Sequence, residues 1–180
     1  DLLYEVQGLW QFNVPGGGLI GHVISGAELG CGVAWLPGVC NDPFNFSVSS
    51  HLSGTVSFPI QVQPDNWDFM VIAHELGHNL NAPHTHAYCP PLDECAPSGY
   101  FEGCQTQQVC TSAGTIMSYC HLCSGGFLNI TTYFHDQSAA DMRDWVEQGC
   151  LPLACAAPVT YCTAQVNSQS CTPPLSNGRR

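Results

Sequence analysis

Three histidines and a glutamate lie within one short run, His74-Glu75-Leu76-Gly77-His78-Asn79-Leu80-Asn81-Ala82-Pro83-His84. A neutral imidazole binds transition metals through a ring nitrogen. Two histidines four residues apart project from one face of a helix, one turn above the other, and can grip a single ion. Glu75 follows the first of them, where its carboxylate can reach a water beside such an ion without ligating. His84 is out of phase with that face and joins the set only if the chain turns sharply after Leu80. The turn needs positive φ, which glycine adopts freely and asparagine next most readily, and Asn81 stands there. Three imidazoles on Zn2+ leave one tetrahedral position for water, as catalytic rather than structural sites do. Zinc lowers the pKa of water from about 15.7 to roughly 7. Glu75 is then the candidate general base, taking the proton as water attacks a peptide carbonyl and passing it to the leaving amine.

A helix over 66–80 would carry the first two histidines. Asp65 is its expected N-cap, Asp68 lies in its first turn, and Met70, Ala73, Leu76 and Leu80 recur at helical spacing. Residues 1–64 read as short extended segments, with a loop at Pro15-Gly16-Gly17-Gly18 and a strand at 32–36 closed by Pro37-Gly38. The alternation over 56–62 reads as a second strand, which Pro59 confines to an edge. Residues 82–115 carry four cysteines and little periodicity, the mark of a disulfide-braced loop region. A second helix fits 137–148, through Ala140, Met142, Trp145 and Val146, with Gly149 ending it. Residues 151–180, rich in Pro, Ser, Thr, Ala and Cys, read as a linker and the start of a further cysteine-bearing module or tail.

The net charge is −11, with no lysine and only Arg143, Arg179 and Arg180 as basic residues. Nucleic acid and anionic membrane surfaces need a cationic face, so the charge argues against both as partners. Twelve cysteines imply an oxidising, extracellular compartment. Cys31/Cys40 and Cys120/Cys123 are close enough for local bridges, but spacing leaves the pairing open. No apolar run approaches the roughly 20 residues of a membrane span. The chain starts at Asp1 with nothing like a signal peptide, so an export signal is expected to have been removed or to lie outside it. His22, His51, His86, His121 and His135 show no ligand spacing and read as structural, and Cys120-His121-Leu122-Cys123 has no matching pair for a second zinc site. Asn45-Phe46-Ser47 and Asn129-Ile130-Thr131 are glycosylation sequons.

Taken together, these motifs resemble the metzincin clan of metallopeptidases, whose signature is H-E-x-x-H-x-x-G-x-x-H followed by a methionine turn. Gly114-Thr115-Ile116-Met117-Ser118-Tyr119 resembles that turn, and the run 78–84 with its cysteine-rich sequel looks most like the adamalysin/reprolysin branch. Asn81 replaces the family glycine. The resemblance implies an α+β fold: a partial upper mixed sheet with the active-site helix, over a disulfide-rich lower subdomain with a C-terminal helix. Only 73 residues precede His74, so the first strands and first helix of the upper subdomain are expected to be missing. The catalytic domain is then 1–150. The resemblance further implies zinc on His74, His78 and His84, Met117 as an apolar floor, and an edge strand at Val33, Ala34 and Trp35 that holds substrate antiparallel. Tyr119 has the spacing of the oxyanion-stabilising tyrosine of astacin-like and serralysin-like members, a role reprolysins lack, so catalytic and packing readings both stand. The expected function is a secreted zinc endopeptidase acting on proteins or peptides; the alternative is a zinc-binding but catalytically silent interaction module.

Overall fold

A computed structural model describes residues 2–13, 20–93, 95–100 and 103–149. The Pro15–Gly18 loop and the segment 151–180 lie outside the described residues.

Three short strands form one mixed sheet in the order β1-β3-β2. Strand β1 (Gly21–Ile24) runs parallel to β3 (Phe46–Ser49), and β2 (Gly32–Ala34) runs antiparallel to it on the outer side. Every residue of β3 is buried, which requires cover on both faces. Helix α1 (Leu2–Asn13) supplies one cover, packing Leu3, Val6 and Trp10 against Phe46 and Val48. Each such large apolar side chain contributes about 1.5–3 kcal/mol on burial. Helix α2 (Trp67–Asn79) packs along β2 and β3.

A second core lies beyond α2, where Met70 and Ala82 meet Ile116, Met117 and Ile130, with Phe134 and Met142 against them. Regular structure is sparse here, and disulfides Cys89–Cys104, Cys95–Cys120 and Cys110–Cys123 restrain the chain instead. Helix α3 (Asp136–Gly149) closes this region. Trp145 Nε1 donates to the Val39 carbonyl at 2.9 Å, and Tyr88 Oη donates to Asp141 at 2.5 Å, tying α3 to both halves.

The α+β architecture follows the sequence-based expectation, but several elements differ from it. Residues 2–13 are helical rather than extended, because Leu3, Val6 and Trp10 share one helix face that the sheet buries. No strand forms over 56–62: Val56, Phe58 and Val62 are exposed, so their alternation has no buried face to satisfy. Helix α2 starts after Asn66 rather than Asp65, without a side-chain cap. The buried Asp68 carboxylate instead accepts hydrogen bonds from Ser53 N (2.9 Å), Gly54 N (2.7 Å), Thr55 N (3.1 Å) and Ser53 Oγ (3.1 Å), pinning the preceding loop to the helix start. Neither local cysteine bridge exists. Cys31 is exposed with a free thiol, and Cys120 and Cys123 bond to distant partners because the fold brings those nearer, which also removes them as a second zinc half-site. Both sequon asparagines are buried, and Asn129 spends its amide on the carbonyls of Cys120 and Ser124.

Candidate metal centre

Helix α2 carries two functional faces. His74 and His78 lie one turn apart on the first, and Glu75 and Asn79 on the second, rotated by one residue. The helix then ends in a tight reversal. Asn81 takes φ 79°, Asn81 N donates to His78 O at 2.9 Å, and Ala82 N donates to Gly77 O at 2.9 Å. This is the Schellman pairing, with asparagine at the left-handed position where glycine is usual. It swings His84 back toward the helix face.

The three side chains converge. One ring nitrogen from each of His74, His78 and His84 lies within 4.8 Å of the others, the one histidine, cysteine or carboxylate group among the described residues with metal-holding geometry. His74 Nδ1 donates to Ile116 O at 2.8 Å and His78 Nδ1 donates to Ala82 O at 2.8 Å, which makes Nε2 the lone-pair-bearing nitrogen of each neutral ring. The Nε2 atoms of His78 and His84 are 3.1 Å apart. Two nitrogens about 2.0–2.1 Å from a tetrahedral ion would be separated by roughly 3.3 Å, so this pair fits one edge of a zinc polyhedron. Burial, then the neighbouring charges of His78 and His84, holds the His74 imidazole well below the usual histidine range, although its bond to Ile116 raises it. Burial and His86 push His84 down to about 4. Both rings are therefore neutral at neutral pH, the state that ligates a cation.

The sequence profile of metallo-peptidase family M12 matches residues 17–134, more than half of the chain and the whole of this cage. The chain belongs to metallo-peptidase family M12. No curated protein matches it.

The turn at 115–118 packs against helix α2 at Gly77. Met117 is fully buried, and a Cβ added at Gly77 would lie 2.5 Å from its sulfur, so only glycine lets the helix settle on it. Thr85 N donates to Met117 O at 3.1 Å, linking the segment after His84 to that turn. Tyr119 stands over the cage, its ring centroid 4.4 Å from that of His84 and 6.0 Å from that of His74. His86, which sequence spacing did not connect to the site, is fully buried and stacks on His84 at 5.1 Å.

Glu75 is buried beneath β2, where burial pushes its carboxyl up to about 8. A Cβ at Gly32 would collide with its side chain. Backbone groups of Cys31 and Trp35 face β3: Ser50 N donates to Cys31 O, and Trp35 N donates to Phe46 O. By the alternation of an antiparallel pair, Gly32 and Ala34 turn theirs to the open edge. The Val33 side chain is exposed, whereas the half-buried Trp35 ring packs edge-on against Tyr4 and Phe44. Of the anticipated edge residues, Ala34 therefore presents its backbone outward, Val33 and Trp35 turn theirs to β3, and Gly32 joins the edge.

Beside the cage a cavity of about 110 Å3 runs along α2, past His74, Val71 and Met70 to Trp67. These positions recur every three or four residues, so one helix face forms its wall over about 10 Å. Ile116 and Tyr119 face it, and His121, stacked on Phe127 at 5.4 Å and 2°, closes the far end together with Trp67. Burial pushes His121 down to about 4, so the end wall is uncharged. The sequence did not announce this cavity, since its walls are forty to sixty residues apart.

Proposed function

We propose that this M12 chain is a zinc-dependent endopeptidase of an extracellular compartment, with zinc held by His74, His78 and His84. Convergence of three imidazoles, with the buried Glu75 carboxyl on the wall of the same cavity as His74, carries the reading. Zinc, when bound, supplies Lewis acidity that polarises a carbonyl and lowers the pKa of water. Burial alone would keep Glu75 largely protonated at neutral pH. A cation held on the three histidines would favour its ionised form, which would then accept the proton of the attacking water and return it to the departing amine. An extended peptide pairs with the outward backbone groups of Gly32 and Ala34, as an added antiparallel strand. One apolar side chain next to the cleaved bond enters the cavity, whose volume is of the order that holds a benzene-sized group. The disulfides Cys89–Cys104, Cys95–Cys120 and Cys110–Cys123 support the compartment.

The test is Glu75→Gln in oxidised, zinc-reconstituted protein. It should keep about one zinc per chain and the fold, and lose hydrolysis of a peptide library by about 10²–10⁴-fold. Unchanged turnover would refute Glu75 as base. A parent protein that binds zinc yet cleaves nothing would instead be a catalytically silent interaction module.

A further inference from the structure

We infer that Asn79 is a positioning residue that fixes the edge strand relative to the metal cage. It is fully buried, one helical turn beyond Glu75 on the same face of α2. Its Nδ2 donates to two carbonyls of the sheet region, Trp35 O at 3.0 Å and Phe46 O at 3.0 Å. Its own backbone carbonyl accepts from Gly38 N at 3.0 Å and Val39 N at 2.8 Å. One residue therefore grips the chain leaving β2 at three points, and β3 at a fourth. Gly38 completes the joint, because a Cβ there would strike the Asn79 amide.

Among the described residues the amide's oxygen has no hydrogen-bond partner. Both groups facing the side chain are acceptors, so a flipped amide would oppose oxygen to oxygen. The side chain is thus held for its two donors, at the expense of an unpaired buried acceptor. At the other end of β2, Gly32 rests directly on Glu75. Asn79 and Glu75 together set the spacing between the open edge and the reacting centre. A peptide laid along Gly32 and Ala34 is then in register with the base only while the Asn79 joint holds.

This inference rests on the proposed peptidase reading, and its test is chosen to separate the two. The probe is a heptapeptide with central leucine, made non-cleavable by a reduced central bond, added to the zinc-loaded full chain. Amide hydrogen exchange at Gly32 and Ala34 should slow on binding to the parent protein, and the slowing should vanish in Asn79→Ala and Asn79→Asp. With the cleavable peptide, KM should rise and kcat/KM fall by about 10²-fold, the usual cost of roughly 1 Å of misplacement, with zinc content unchanged. If those variants do not fold, Gly38→Ala keeps every hydrogen-bonding group and should give the same KM-weighted defect. Wild-type KM and undiminished protection in the variants, or activity lost only in step with zinc, would overturn the inference. If the parent cleaves nothing, the peptidase reading fails, while the exchange experiment still decides the role of Asn79.

Discussion

Nε2 of His78 and Nε2 of His84 stand 3.1 Å apart, although five residues and a left-handed turn lie between them in the chain. That turn makes His84 available to the cage. Replacing His84 by Ala should weaken zinc binding by more than about 10²-fold, beyond the 10–100-fold ordinary for losing an outer hydrogen-bond partner. Asn81→Gly should preserve affinity, because glycine accepts the same φ. Asn81→Val should cost about 1–2 kcal/mol of stability through the left-handed strain and loosen the metal with it. Chelator competition and denaturant titration read the two effects; an undiminished affinity in His84→Ala would leave the cage with two ligands.

Tyr119 stands 4.4 Å, centroid to centroid, from His84 and lines the cavity, so its hydroxyl is a candidate donor to a developing oxyanion. If it donates, Tyr119→Phe should lower kcat by about 10²-fold with KM little changed, since the bond is made only in the transition state. Packing alone predicts turnover within a few-fold of the parent, because phenylalanine keeps the ring contacts with His84, His86 and Tyr100. Steady-state kinetics with zinc content verified decides between these, and parental kcat retires the catalytic role.

Asp68 gives a pH dependence in the acid range. Burial raises its carboxyl, but the hydrogen bonds from Ser53, Gly54 and Thr55 outweigh that, and the net effect is a pKa below the ordinary 3.8. A depressed carboxyl means the unfolded chain takes up the proton at higher pH than the native one. The stabilisation is therefore complete above the ordinary value and disappears as pH falls through the native value. Asp68→Asn should unfold at lower denaturant than the parent at pH 6, and the gap should close below pH 3.8. Equal midpoints at pH 6 would show that the loop at 53–55 does not depend on the charge.

The stretch 74–84 was legible because its information is local. Helical spacing puts two histidines on one face, and an asparagine that tolerates positive φ brings back the third. Leu3, Val6 and Trp10 carried a helical signal as well, but short runs rich in apolar residues read equally as extended chain until the sheet that buries them is known. The alternation over 56–62 misled for the converse reason. Period two is a strand signal only where a partner strand and a core await it, and Phe58 is left 83% exposed.

What the sequence determined by itself is thus the M12 signature and the inventory of the cage: donor types, spacing and a turn-competent residue. Tertiary structure decided everything that needs two distant segments at one place. It brought Ile116 O to His74, fixing which imidazole nitrogen faces inward, and it set Met117 against Gly77. It paired Cys95 with Cys120 and Cys110 with Cys123, against the local alternatives. It also assigned Asn79 to the strand side of α2, where only the facing carbonyls of Trp35 and Phe46 reveal its task. Backbone propensity and side-chain period act over a few residues, whereas these contacts close loops of some ten to more than forty. No local preference encodes such partners; they are chosen by the packing of the whole core.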